Sequence, residues 1–451
     1  MSSGLCLRHG VWLRSLFAAL WLALAVLPAM AQSSAHASAA GAASAAIPGI
    51  APATDAWRSA LPRDPEAATQ AYLDRLSPQL RARSDAYFEG GYWLQLWSLL
   101  VTLLIAWLLL RTAPAQAARR WCARRGGRVR QVASYALFYL LAGWLLALPY
   151  SIYKDFVREH QYGLATQSFG AWFAEQLVAL GVMLVVGSLF VLALYGVIRR
   201  APRRWWIGGA IVALGFLAVA VAIGPVYIEP LFNAYKPLAA SPLERDIVAM
   251  AQANGVPADK VFEFDASRQS TRVSANVSGL FGTAAIRLND NLLRRASVPE
   301  IRAVMGHEIG HFTMNHIPKT LVQFGIVIVA LFAFVAFAAD WLLRRHGARW
   351  ELDSVQDVGS LPLLGALLAV AFFVATPVIN TMTRTMETEA DYFGLNLARE
   401  PDGMAEVVLK LVEYRKPDPG PIEEMLFFDH PSARTRIFNA MRWKALMTPQ
   451  P

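Results

Sequence analysis

The sequence predicts a mainly α, multi-span helical membrane protein carrying a small β element. Three observations predict it. Of the 451 residues 55% are hydrophobic and only 17% charged. The mean hydropathy is +0.36. Six separate apolar stretches are each long enough to cross a bilayer. The net charge of +9 lies in short arginine clusters against those stretches, where it sets topology and is no signature of nucleic-acid binding.

In chain order, residues 1–31 carry Arg8 and Arg14, an apolar core from Leu16 to Leu27 and the small-residue end Ala29-Met30-Ala31. That is the pattern of a secretory signal peptide cut after Ala31, with an uncleaved first span as the alternative. Residues 32–90 are Ala/Ser-rich and then polar and helical, which reads as an exported tether or flap. Apolar stretches at 92–110, 132–150, 174–198 and 205–228 make a four-span region over residues 91–228. The loop from Arg111 to Arg130 holds Arg119, Arg120, Arg124, Arg125 and Arg128 as well and no acid, and Arg199, Arg200, Arg203 and Arg204 crowd the next such loop. Both are expected to be cytoplasmic, whereas the balanced loop with Lys154, Asp155, Arg158 and Glu159 falls outside. With Cys6 in the leader, Cys122 has no intrachain disulfide partner in a processed chain, and neither cysteine is placed to bind metal.

From Glu229 the chain becomes soluble in character, with short strands expected at Val261–Asp265 and 284–288 around a polar, Gly-containing turn. Spans at 320–343 and 359–380 follow, joined by a loop with Arg344, Arg345 and Arg349. Alternation of sides then places residues 229–319 and 381–451 together on the exterior.

One stretch carries chemistry: Met305-Gly306-His307-Glu308-Ile309-Gly310-His311-Phe312. On a helix His307 and His311, four apart, present both rings to one zinc ion, with Glu308 beside the fourth coordination position. Ser297 and Glu300 have capping-box spacing for the start of that helix, and Pro299 suits its first turn. A third ligand is required. His316 comes one residue early for the metzincin pattern, and Met314 stands where its glycine belongs, so His316 reads as a surface or outer-sphere histidine. Glu387 and Asp391 are four apart in Thr383-Arg384-Thr385-Met386-Glu387-Thr388-Glu389-Ala390-Asp391, so one face can offer Glu387 to the metal and Asp391 to the far nitrogen of a ligating histidine. Glu389 is the rival ligand, but Phe393 four residues beyond it can orient nothing. Residues 229–451, including the last two spans, thus read as a zincin-like metallopeptidase domain holding one zinc per chain.

These residues resemble the type 1 CAAX prenyl protease family of integral-membrane zinc metallopeptidases of the gluzincin kind. The likeness spans residues 155–436 and rests on Phe156 to Gln167 (FVREHQYGLATQ), Glu229 to Leu238 (EPLFNAYKPL), the HEIGH helix, RTMETEAD, and His430-Pro431 with Arg436 six beyond the histidine. The resemblance implies a helical membrane barrel around a water-filled chamber, zinc on His307, His311 and Glu387, Glu308 as base, and His430 and Arg436 lining the substrate groove. Two departures stand out. The family's Asn-Ala-Tyr groove segment is here Ser274-Ala275-Asn276. Eukaryotic members also face the active site to the cytosol, whereas the arginine distribution here argues for the exported side.

The chemistry implied is peptide hydrolysis, with Glu308 passing the proton of a zinc-activated water to the leaving amine and His430 or Arg436 holding the oxyanion. A bacterial inner-membrane, multi-pass protein with a periplasmic catalytic side fits the leader and the arginines, with a cytoplasmic side as the alternative. Expected partners are the bilayer and a peptide or protein substrate, membrane-associated substrates included; no nucleic acid is expected. The runner-up is a quality-control protease like the heat-shock membrane metallopeptidases, which are shorter and lack this N-terminal region. A transporter or channel predicts ionisable residues inside the spans, which are nearly free of them. An inactive membrane chaperone has no use for a complete ligand set.

Overall fold

A computed structural model describes residues 47–278 and 285–447. The expected leader, the start of the Ala/Ser-rich segment and Ala284 lie outside the described residues. Two short helices, α1 (Asp55–Ser59) and α2 (Pro65–Leu73), precede α3 (Pro78–Arg111), α4 (Ala113–Ala123), α5 (Arg128–Ser151), α6 (Arg158–Gln161), α7 (Phe169–Arg200) and α8 (Trp205–Ile223). The remainder is β1 (Tyr235–Pro237), α9 (Pro242–Ala253), β2 (Val261–Phe264), β3 (Ala275–Ser278), β4 (Ala285–Asn289), α10 (Asp290–Arg295), α11 (Val298–Thr313), α12 (His316–Trp350), α13 (Leu361–Ala398), α14 (Pro401–Lys410), α15 (Pro421–Phe427) and α16 (Ala433–Met447).

Among the described residues six helical segments are long and apolar enough to cross a membrane, one at each expected stretch. Trp97, Trp107, Leu145, Ile326, Phe337 and Val374 point outward from them. Such an apolar belt is stable only in lipid, and the protein is a multi-span membrane protein. The helices exceed the apolar stretches that announce them. The 35 residues of α12 rise about 52 Å, whereas hydrocarbon needs about 30 Å, so several turns extend beyond the bilayer.

One end of the bundle collects the arginine-rich loops. Arg119 donates to Asp357 at 2.7 Å and to the Trp350 carbonyl at 3.1 Å, and Arg199 reaches the Gln356 carbonyl. The loops after α3, α7 and α12 therefore share one end, as their charge predicts. Buried side chains of α5, α7, α8, α12 and α13 form the core between the spans, with Tyr195 hydrogen-bonded to Ser360 inside it.

Beyond the opposite end lies a four-stranded sheet of order β1-β2-β4-β3, parallel between β2 and β4 and otherwise antiparallel. The two expected strands are its centre. β1 and β3 escape a sequence reading because β1, Tyr-Lys-Pro, is three residues ending on proline and β3, Ala-Asn-Val-Ser, has Val277 as its one strong strand former. β3 ends the sheet and packs against α11.

One expectation is refined and one is corrected. From Ile47 onward the segment expected as a tether or flap lies packed against the C-terminal helices. Ala68, Tyr72, Leu73 and Leu76, on one helical face and the turn after it, pack against Val407, Val408, Ile437 and Ala440, and Arg75 grips Glu406 with bonds of 2.6 and 3.1 Å. The capping box at α11 does not form: Ser297 is the N-cap residue but its side chain makes no capping bond, and Glu300, whose carboxylate would close the reciprocal half, accepts from Lys410 at 2.5 Å.

Candidate metal centre

The site is built where α11 crosses α13. A Cβ added at Gly394 would lie 2.7 Å from the His307 nitrogen, and one at Gly306 would lie 2.9 Å from the Gly394 carbonyl oxygen. The two backbones touch there because neither glycine has a side chain. Gly310, one turn on, extends the same contact surface against Phe393 and Ala390. Asp391 and Glu387, one and two turns before Gly394, are thereby laid along the histidine face of α11. Gly394→Ala is expected to force the helices apart, costing about 1–3 kcal/mol of stability and weakening metal binding, read by thermal melting and chelator competition. Unchanged metal affinity in that variant would contradict the role given to the crossing.

One donor atom each from His307, His311 and Glu387 lies within 4.8 Å of the other two. Nε2 of His307 is 3.1 Å from Nε2 of His311 and 3.2 Å from Oε2 of Glu387, and His311 Nε2 is 3.5 Å from Glu387 Oε1. All three residues are buried. Tetrahedral zinc with bonds of 2.0–2.1 Å spaces its ligand atoms about 3.3 Å apart, so the separations fit. Glu387 Oε2 is also buried without a well-aligned hydrogen bond among the described residues. A carboxylate oxygen is rarely left so unless something else satisfies it.

Asp391 Oδ1 lies 2.7 Å from Nδ1 of His307, and Arg436 holds Asp391 through Nε at 2.8 Å and Nη2 at 2.5 Å. Arg436, expected to line the groove or hold an oxyanion, holds Asp391 behind His307 and also borders the cleft beside His430. Burial opposes a charge on His307, but the hydrogen bond to Asp391 and the charges of Asp391 and Glu387 outweigh it and push its pKa up to about 10. His311 has no such carboxylate on its far side, and burial takes it down to about 3.

His430 stands in the loop between α15 and α16 with Nε2 3.3 Å from Glu387 Oε2 and Nδ1 2.9 Å from Asp429 Oδ1. It borders an open cleft together with Phe88, Arg415, Lys416, Phe428 and Arg436. Glu308 is buried on α11, and its charge acts on Arg436. Ser274 precedes β3, with its N–H donating to Asn289 at 3.0 Å and its Oγ buried without a partner among the described residues. Ala275 and Asn276 lie buried in β3, paired with Leu288 and Arg287. His316 is buried, 4% exposed, with Nδ1 2.8 Å from Nδ1 of His311. Of its two expected places, surface or outer sphere, it takes the second. Glu389 turns to His316 and Lys319 and not to the cluster. Sequence reasoning missed Asp429 and the helix crossing, although the Gly306-x-x-x-Gly310 spacing was a signal for close helix approach.

Two family models match, and between them they cover most of the chain. Peptidase family M48 matches residues 237–444, and a model described as CAAX prenyl protease N-terminal, five membrane helices, matches residues 63–234. The chain belongs to peptidase family M48. Its M48 relatives include an uncharacterized metalloprotease, YhfN, of Bacillus subtilis, 29% identical over 62% of this chain and 66% of that one. They also include a CAAX prenyl protease 1 homolog of Dictyostelium discoideum, 30% identical over 55% of this chain and 59% of that one. The chain thus spans about three-fifths of the length of these curated relatives. The crystal structure of S. mikatae Ste24p shares the fold, with a TM-score of 0.62 at 20% identity over 83% of this chain and 86% of that one.

Proposed function

We propose that this M48 protein is a membrane-embedded zinc metalloendopeptidase that hydrolyses peptide bonds with Glu308 as general base. The observation that carries the reading is the buried convergence of His307, His311 and Glu387, backed by Asp391 and Arg436. Zinc held there would supply Lewis acidity toward a scissile carbonyl and an attacking water. Glu308 accepts the water proton and returns it to the leaving amine. His430, held by Asp429, directs Nε2 toward the ligand cluster, where it can donate to a developing oxyanion. β3, at the end of the sheet beside α11, suits an extended peptide held by main-chain pairing, with Ser274, Ala275 and Asn276 along that groove. Substrates are peptides or proteins, those at the membrane included. In a bacterium, where proteins are not generally prenylated, prenylated substrates are not expected.

Titration of the purified metal-free chain with zinc tests the reading. About one zinc should bind per chain. His307 carries a proton below its raised pKa of about 10 and must lose it to become a ligand, whereas His311 is already neutral. Calorimetry at neutral pH in buffers of different ionisation heat should therefore find about one proton released per zinc, with affinity weakening as pH falls. Absence of zinc binding, or binding that survives His307→Ala, refutes the assignment.

The catalytic face is assigned to the periplasmic side of a bacterial inner membrane, because the arginine-rich loops occupy the other end. In a chain lacking other cysteines, Ile422→Cys on α15 should react with an impermeant maleimide from the periplasm, and Arg124→Cys should not. Reversed labelling would place the site in the cytoplasm.

A further inference from the structure

The turn from α11 to α12 is closed by Met314 and Asn315, and Asn315 has a φ of 57°, a left-handed conformation that asparagine tolerates better than most residues. That reversal brings His316 back beneath the preceding turn, with its Nδ1 2.8 Å from the His311 Nδ1. On its other side His316 Nε2 lies 3.1 Å from Glu389 Oε2, which also accepts from Lys319 Nζ at 3.0 Å. Lys319 is exposed and Glu389 is half-buried at the surface. A continuous chain of polar contacts thus runs from His311 to the surface.

One arrangement of protons satisfies every link. His311 turns Nε2 toward His307 and Glu387, so as a ligand through Nε2 it carries its proton on Nδ1. Nδ1–H then donates to Nδ1 of His316. The His316 proton is thereby placed on Nε2, which donates to the Glu389 carboxylate. His307 receives the same service from Asp391 directly. Two residues beyond Glu387 on α13, Glu389 projects from a different face and reaches His311 only through the intervening imidazole.

We propose that His316 and Glu389 are positioning residues that hold His311 in the tautomer and ring orientation a metal ligand needs, joining the centre to the surface by a two-link relay. The proposal rests on the zinc peptidase reading. Metal-ligating histidines depend on a partner at the far nitrogen, and loss of that partner typically costs about 10–100-fold in metal affinity.

The test is the zinc affinity of the full chain in detergent, by chelator competition, for wild type, His316→Phe, Glu389→Ala and Glu389→Gln, with the melting temperature of each metal-free form. His316→Phe should bind zinc about 10–100-fold more weakly. Glu389→Ala should shift the same way, and Glu389→Gln, whose amide oxygen still accepts, should recover most of that loss. The Glu389 variants, at a half-buried surface position, should melt like wild type without metal, which separates positioning from folding and keeps the test valid if His316→Phe misfolds. Wild-type affinity in Glu389→Ala, or in a folded His316→Phe, overturns the proposal. A wild-type chain that binds no zinc overturns the parent reading, and this proposal with it.

Discussion

Glu308→Gln is expected to keep its zinc and to cleave peptides about 10²–10⁴-fold more slowly than wild type. The amide is nearly the shape of the carboxylate, so the buried packing on α11 survives and His307 and His311 stay in place. What disappears is a group able to take a proton from water and return it to the leaving nitrogen. The loss should fall on kcat, because proton transfer belongs to the transition state and not to substrate binding. Metal analysis beside single-turnover cleavage checks both halves. Normal turnover by a zinc-loaded Glu308→Gln chain would remove Glu308 from the mechanism.

Arg436→Ala carries the second large effect. It strips Asp391 of both guanidinium bonds and leaves a buried carboxylate facing only His307. Removing one partner of a buried ion pair costs about 3–5 kcal/mol, because the remaining charge has lost its compensation. Asp391 is also the group that orients His307, so zinc affinity should drop by about 10–100-fold as well. Arg436→Lys should recover only part of either loss, since an ammonium cannot reproduce the two parallel bonds of the fork. Denaturant unfolding and chelator competition read the two effects separately. A residue that only lined the groove would instead raise KM while leaving stability and zinc affinity intact, and that outcome would remove the buttress role from Arg436.

Much of this was legible without coordinates. Hydropathy located the six helices that, among the described residues, are long and apolar enough to cross a membrane, because an apolar run long enough to span lipid is a property of consecutive residues. The spacing of His307 and His311, and of Glu387 and Asp391, set which side chains share a helix face, because helical periodicity is local too. Tight short-range features were less secure. The Ser297–Glu300 pattern has the right spacing, yet Lys410, more than a hundred residues away, outbids the cap for Glu300. The segment from Ile47 to Leu76 reads as a tether or flap because half of its apolar residues are alanines, scattered among prolines and charges, and its partners are on α14 and α16 at the far end of the chain.

By itself the sequence determined the membrane-spanning helical class, the arginine-marked end of the bundle, and the residues whose spacing could serve a metal. Only the tertiary structure decided that His307 meets Asp391 across 84 positions of sequence, that Arg436 buttresses Asp391, and that His316 is buried against His311. The physical reason is range. Periodicity and hydropathy act between near neighbours, whereas the side chain facing each far nitrogen is chosen by how closely two helices cross at Gly306 and Gly394 and by one left-handed turn at Asn315.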